Sequence, residues 1–181
     1  MEPDAIIAAL RDASPHAELE SAAAVDGHPT VYAPAADIAA LAAALRDRPE
    51  LRFDFLAELT AVDFWPREPR FELVYMLVST VHRHRARIKV RLHGADAHVA
   101  TVSGIWPAAN WLEREVWDLF GIAFDGHPDP RRLLMPEDWD GYPLRKDYPV
   151  QIKLTPRTSE PIQVTEQEFR ANVERDRLAR K

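Results

Sequence analysis

The chain has 181 residues, 46 % of them hydrophobic and 29 % charged, with a formal net charge of −6 and no cysteine. That length fits one domain with extensions and is enough to bury a core. Without cysteine there are no disulfides, cysteine-ligated iron–sulfur clusters or thiol catalysis, and the negative charge argues against nucleic acid or anionic lipid as a direct partner.

The acidic opening MEPDAIIAAL does not read as a signal peptide, and no run of about eighteen apolar residues is available to span a membrane. Any membrane association is therefore expected to be indirect, through other proteins. Residues 4–13 read as a short helix with Ile6, Ile7 and Leu10 on one side. A hairpin follows, with strands near 17–24 and 29–33 around a turn at Asp26-Gly27. Residues 35–48 form a helix whose face carries Ile38, Leu41 and Leu45 and which Pro49 stops. Residues 51–65 read as a strand, and Pro66 and Pro69 mark the loop after it. Residues 70–81 are so uniformly apolar that both faces of that strand are expected to be covered.

In HRHRARIKVRLH the odd positions are Arg83, Arg85, Arg87, Lys89 and Arg91, and Ala86, Ile88, Val90 and Leu92 alternate with them. Period two gives a strand with one apolar and one basic face, on which like charges recur about every 6.6 Å. They repel unless water, salt or an acidic surface screens them, so the row is either a solvated outer face or a docking face for an acidic neighbour. RNA fits less well, because no aromatics are interleaved. Residues 98–106 add a short strand. Pro107 suits the first turn of a helix that ends at Gly121. The order of elements predicts an α+β fold in two layers, helices packed on a mostly antiparallel sheet, over residues 1–122.

That last helix carries Leu112, Val116, Leu119 and Phe120 on the expected core side, with Glu113, Arg114, Glu115 and Asp118 around it. Glu115 and Asp118 are spaced to meet, and Arg114 to reach Asp118. Paired carboxylates of a catalytic site, a metal cage including His127, plain surface charge, and an ion-pair lock are the readings of this set. The lock is favoured, since acids one turn apart usually join a salt-bridge network. His82 and His84 lie in the basic row, an unfavourable place for a cation.

Residues 123–161 read as a long extended arm. Between 125 and 161 stand seven of the fifteen prolines, which forbid helix and interior strand. Leu133, Leu134, Met135, Trp139, Tyr142, Leu144 and Tyr148 are nonetheless costly to leave in water. The expectation is that the arm lies on another protein; the alternative is a loop wrapped on its own domain. Residues 162–181 form a charged, weakly amphipathic helix or tail opened by a capping box, Thr165 to Glu168.

The stretch EREVWDLFGIAFDGHPDPRRLLMPEDWDGYPLRKDYP resembles the 30-kilodalton subunit family of respiratory complex I, the bacterial NADH-quinone oxidoreductase. The resemblance rests on Glu113, Arg114, Glu115, Asp118, Leu119, Phe120, Gly121, His127, Pro128, Arg131, Arg132, Leu133 and Leu134, and continues through Trp139, Gly141, Tyr142, Pro143, Leu144, Arg145, Lys146, Asp147 and Tyr148. Pro130 departs from the pattern, where the family often has an apolar residue. The resemblance implies a non-catalytic subunit of the peripheral arm of NADH:quinone oxidoreductase, wrapping the 49-kilodalton subunit beside neighbouring iron–sulfur subunits. It implies no cofactor in this chain, with FMN, iron–sulfur clusters, NADH and quinone used by the holoenzyme, and a peripheral place on the cytoplasmic face of the bacterial plasma membrane. It also makes the residues just named the partner interface. Related membrane-bound hydrogenases carry equivalent subunits. A stand-alone hydrolase using Glu115, Asp118 and His127, or an RNA binder using Arg83 to Arg91, are the readings from other classes.

Overall fold

The computed structural model describes residues 2–149 and 165–179. Helices α1 (Pro3–Ala13) and α2 (Ile38–Asp47) each turn an apolar stripe inward: Ile6, Leu10 and Ala13 from the first, Ile38, Leu41, Ala42 and Leu45 from the second. Pro3 takes a first-turn position, where a missing N–H costs nothing. Arg48, forced out of helical geometry by the proline after it, ends α2 in an extended conformation.

The strands β1 (Glu20–Ala22), β2 (Thr30–Tyr32), β3 (Phe55–Asp63), β4 (Phe71–Ser79) and β5 (His84–Leu92) form one sheet in the order β1-β2-β5-β4-β3. Every pairing is antiparallel except β2 with β5, so the fold is α+β with a mostly antiparallel sheet. The expected hairpin forms, but its strands are only three residues each. The inward face carries Val31, Leu56, Leu59, Phe71, Leu73, Tyr75, Leu77, Ile88 and Val90, which join the helices in one core. A second, two-stranded sheet pairs β6 (His98–Ala100) with β7 (Ala123–Asp125) in parallel. Helix α3 (Ala109–Phe120) is the crossover such a pair needs, and β7 was not expected.

Two expectations about the large sheet need correction. Only one face of β4 is fully buried; Val74, Met76 and Val78 on the other are half-exposed, because the helices of this unit all cover the inward side. The basic row holds only four strand positions, since Arg83 sits in the turn before β5 with a positive φ of 56°. Three of the four are answered within the chain, and only Arg85 is left without an ion-pair partner among the described residues. Arg87 pairs with Asp26, Lys89 with Glu72 at 2.7 Å, and Arg91 with Glu20 at 3.1 Å while lying 3.6 Å over the Tyr32 ring.

The first compact unit runs to Tyr148 and so includes residues 123–148, placed at the sequence level in the arm; residues 150–161 of that arm lie outside the described residues. In the second unit, helix α4 (Glu166–Ala179) opens on the expected capping box: Thr165 N–H donates to Glu168 at 2.9 Å and Glu168 N–H returns to the Thr165 hydroxyl at 3.3 Å. No helix among the described residues is long and apolar enough to cross a membrane.

Candidate functional site

Helix α3 places its polar residues against two different surfaces. Its left-handed cap, Gly121 at φ 72°, ends it where the sequence indicates. Val116 and Phe120 are buried as expected, whereas Leu112 and Leu119 are only partly so. The space expected for them goes to Glu113 and Asp118, both fully buried, with Arg114 nearly so.

Glu113 accepts the Val102 N–H at 2.7 Å and the Thr101 hydroxyl, both from the loop after β6. The nearest cation-forming group is His127 Nε2, 3.8 Å away and already hydrogen-bonded to the Asn110 carbonyl at 3.1 Å. Burial pushes the Glu113 pKa up from 4.5 to about 7 against the pull of its two donors. His127 Nδ1 accepts the Asp129 N–H at 3.0 Å, so its Nε2 carries the proton toward Asn110. Glu113, Arg114, Trp117, Phe124 and His127 line a small, largely apolar cavity of about 110 Å³. Among the described residues no three His, Asp or Glu side chains converge on a point that could hold a metal ion.

Asp118 does not pair with Arg114, which corrects the expected i, i+4 contact. Its Oδ2 accepts the backbone N–H groups of Leu133, Leu134 and Met135 at 3.0, 2.7 and 2.8 Å, and its Oδ1 accepts Arg132 at 2.7 Å. Burial acts to raise the Asp118 pKa, but these four donors outweigh it and hold the carboxyl below its ordinary value. Arg114 instead donates to the carbonyls of Arg131 and Arg132, both at 3.0 Å, meets Asp129 at 3.3 Å, and lies over the exposed Trp111 ring. Glu115 is half-buried, and among the described residues it has no ion-pair partner, so its expected meeting with Asp118 is absent. The lock thus joins helix to following loop rather than helix residue to helix residue.

The loop is pinned twice more. Arg145 donates to the Phe120 carbonyl at 2.5 Å, completing the open end of α3, and its guanidinium lies 4.6 Å from the Tyr142 ring centre. Tyr142 in turn rests on Gly121, where a Cβ would collide with it. Arg70 forms a bidentate pair with Asp63 at 3.0 and 2.9 Å and a second with Asp147 at 3.0 and 2.7 Å. Burial alone would raise the Asp63 pKa, but Arg70 and the N–H groups of Lys146 and Trp65 bring it down to about 2. Asp63 and Arg70 were not among the expected site residues. Their partner Asp147 lies 77 residues beyond Arg70, too far for any local pattern to mark.

The backbone of residues 127–148 is therefore fastened to its own domain, at α3 and the start of β4, by Asp118, Arg114, Arg145 and Arg70. The side chains behave differently. No residue from 125 to 149 is fully buried, and Leu134 and Leu144 remain 60 % and 51 % exposed.

Comparison with known proteins gives consistent matches. The family model described as respiratory-chain NADH dehydrogenase, 30 Kd subunit, matches residues 31–153. An NADH-quinone oxidoreductase subunit of Roseiflexus sp. (strain RS-1) is 49 % identical over 145 residues, covering 80 % of this chain and 83 % of that one. The subunit of the same name from Geotalea uraniireducens (strain Rf4) is 47 % identical over 125 residues, 69 % of this chain and 75 % of its own. Among solved structures, a trypsin-resistant fragment of Nqo5 is 30 % identical with a TM-score of 0.53, over 71 % of this chain and 99 % of that fragment. A chain of a membrane-bound sulfane sulfur reductase, an archaeal respiratory membrane complex, is 28 % identical with a TM-score of 0.69, over 90 % of this chain and 98 % of its own.

Proposed function

The chain belongs to the 30-kilodalton subunit family of respiratory-chain NADH dehydrogenase, and on that premise we propose that it is a non-catalytic, structural subunit of the peripheral arm of a proton-translocating NADH:quinone oxidoreductase. In this reading it holds the quinone-reducing module together through contact with the 49-kilodalton subunit and neighbouring iron–sulfur subunits. It carries no cofactor itself; FMN, iron–sulfur clusters, NADH and quinone are handled by the rest of the assembly. Its seat is peripheral, on the cytoplasmic face of the plasma membrane.

One observation carries the proposal. The backbone of residues 131–146 is fastened to the rest of the chain at several points, while Leu134 and Leu144 are turned outward beside arginines and acids. A loop made only to close its own domain would bury such side chains, each about 1.5–3 kcal/mol when fully covered. A fixed backbone presenting apolar anchors is what a permanent interface needs, because little ordering entropy is left to lose on association. The acids of α3 support the same reading. Glu113 and Asp118 are each committed to donors of their own chain, although Glu113 also borders the small cavity.

A second reading, an equivalent subunit of another membrane-bound respiratory complex, is favoured by the likeness to a chain of the sulfane sulfur reductase. Affinity purification of the tagged chain from native membranes with mass spectrometry separates the two. NADH-binding subunits together with the 49-kilodalton subunit are the expected company. A nickel–iron hydrogenase or a sulfur-reducing set would favour the second reading, and isolation of the chain alone would contradict both.

A further inference from the structure

The outward face of the large sheet is a broad surface that the described part of the arm does not explain. Cross-strand register places Phe55 of β3 opposite Val78 of β4, and Val78 opposite Arg85 of β5. The next outward rows set Glu58 opposite Met76 and Thr60 opposite Val74. Phe55 and Val62 are 49 % and 39 % exposed, and Val74, Met76 and Val78 are half-exposed between them. These five apolar residues make one strip along β4 and the edge strand β3.

Charge is distributed unevenly around the strip. Arg87, Lys89 and Arg91 are each answered by a carboxylate of the chain, Asp26, Glu72 and Glu20. Arg85, at the Phe55 end, has no ion-pair partner among the described residues, and neither has Glu58 on the opposite side of the strip. An apolar centre containing an exposed aromatic, with an open guanidinium at its edge, has the composition of an interface core and rim.

We infer that this sheet face is a second docking surface, occupied by a neighbouring protein subunit whose matching surface is apolar and carries a carboxylate placed to meet Arg85. The inference rests on the reading of the chain as a subunit of a larger assembly. Covering the strip removes Phe55, Val62 and the outward sides of Val74, Met76 and Val78 from water. The carboxylate gives Arg85 the partner its three neighbours already have. A guanidinium suits that role because its planar fork meets a carboxylate bidentately, which fixes register as well as contact.

The chain has no cysteine, so single replacements give unique thiols. Glu58→Cys reports on the sheet face, Leu134→Cys on the arm, and Ala95→Cys on an exposed turn; each is reacted with a maleimide in the isolated chain and in the complex purified from membranes, and the modified peptide is quantified. E58C is expected to react at least about tenfold more slowly in the complex than alone, as protection by a seated partner requires, with A95C reacting alike in both. Adding Arg85→Glu restores reactivity of E58C in the complex, and Arg85→Lys restores less. Equal reactivity of E58C in complex and isolated chain overturns the inference. So does protection that appears in the isolated chain at high concentration, which means a second copy, or protection that nuclease removes. Protection of L134C without E58C removes the sheet-face docking alone; protection of E58C without L134C removes the arm contact alone.

Discussion

Asp118 and Arg132, fourteen residues apart, form a charge-assisted hydrogen bond of 2.7 Å with the carboxylate wholly buried. The same carboxylate holds three successive N–H groups, so one side chain on α3 decides where the loop lies. Asp118→Ala leaves a guanidinium and three N–H groups without their acceptor. It is expected to destabilise the chain by about 3–5 kcal/mol, the range for breaking a buried pair from one side. Combining Asp118→Leu with Arg132→Met should cost less than the two single changes added together. Chemical denaturation of the four proteins measures this coupling, and amide hydrogen exchange at residues 133–135 should accelerate in Asp118→Ala.

Glu113 makes stability depend on pH. Its pKa rises from 4.5 unfolded to about 7 folded, because it is buried without a counter-charge. The folded state binds the proton more tightly, so its stabilising contribution is complete below pH 4.5 and is lost as pH rises through 7. The loss corresponds to about 3 kcal/mol at alkaline pH. Glu113→Gln keeps the acceptor for the Val102 N–H and offers an amide donor to Thr101. It should be more stable than the parent at pH 8 and nearly equal at pH 5, as read by thermal unfolding across that range.

His84 contributes in the other direction. Burial lowers its pKa below 6.5; one ring nitrogen meets the Leu51 carbonyl at 2.9 Å, and Nδ1 is buried without a partner. Its stabilising contribution is present above pH 6.5 and declines as pH falls through the lowered folded value. His84→Gln should flatten the acid limb of the stability curve below pH 6.5. The slopes from His84 and Glu113 oppose each other, so only the difference between variant and parent reads either one.

Gly121 has φ 72° and lies under the Tyr142 ring. Gly121→Ala combines about 1–2 kcal/mol of left-handed strain with displacement of that ring and of the adjacent Arg145 contact. A fall in unfolding midpoint, with faster proteolysis after residue 121, is the expected outcome.

The sequence marks the parts of this architecture whose signals are local. Ile38, Leu41 and Leu45 repeat at helical spacing and form the buried stripe of α2, Gly121 ends α3, and Thr165 with Glu168 makes the capping box. Ala86, Ile88, Val90 and Leu92 alternate inward along β5. What stays hidden depends on distant partners. β7 is three residues long and exists because β6 lies beside it. Arg114 and Asp118 are spaced to pair but find stronger partners in the loop, since backbone groups 15–18 residues away can surround a buried charge more completely than one side chain. The arm misleads for a related reason: its prolines forbid regular structure, yet arginine and aspartate side chains can fasten an irregular backbone, and no periodicity records that.

The central claim is that the backbone of residues 127–148 belongs to its own domain and the apolar side chains there to a partner. Replacing Leu134 and Leu144 together by serine separates these roles, since both are more than half exposed. The isolated double variant should keep its unfolding free energy within about 0.5 kcal/mol per substitution, as exposed changes do, and should fail to co-purify with the membrane complex. Co-purification at the parent's level would contradict the account.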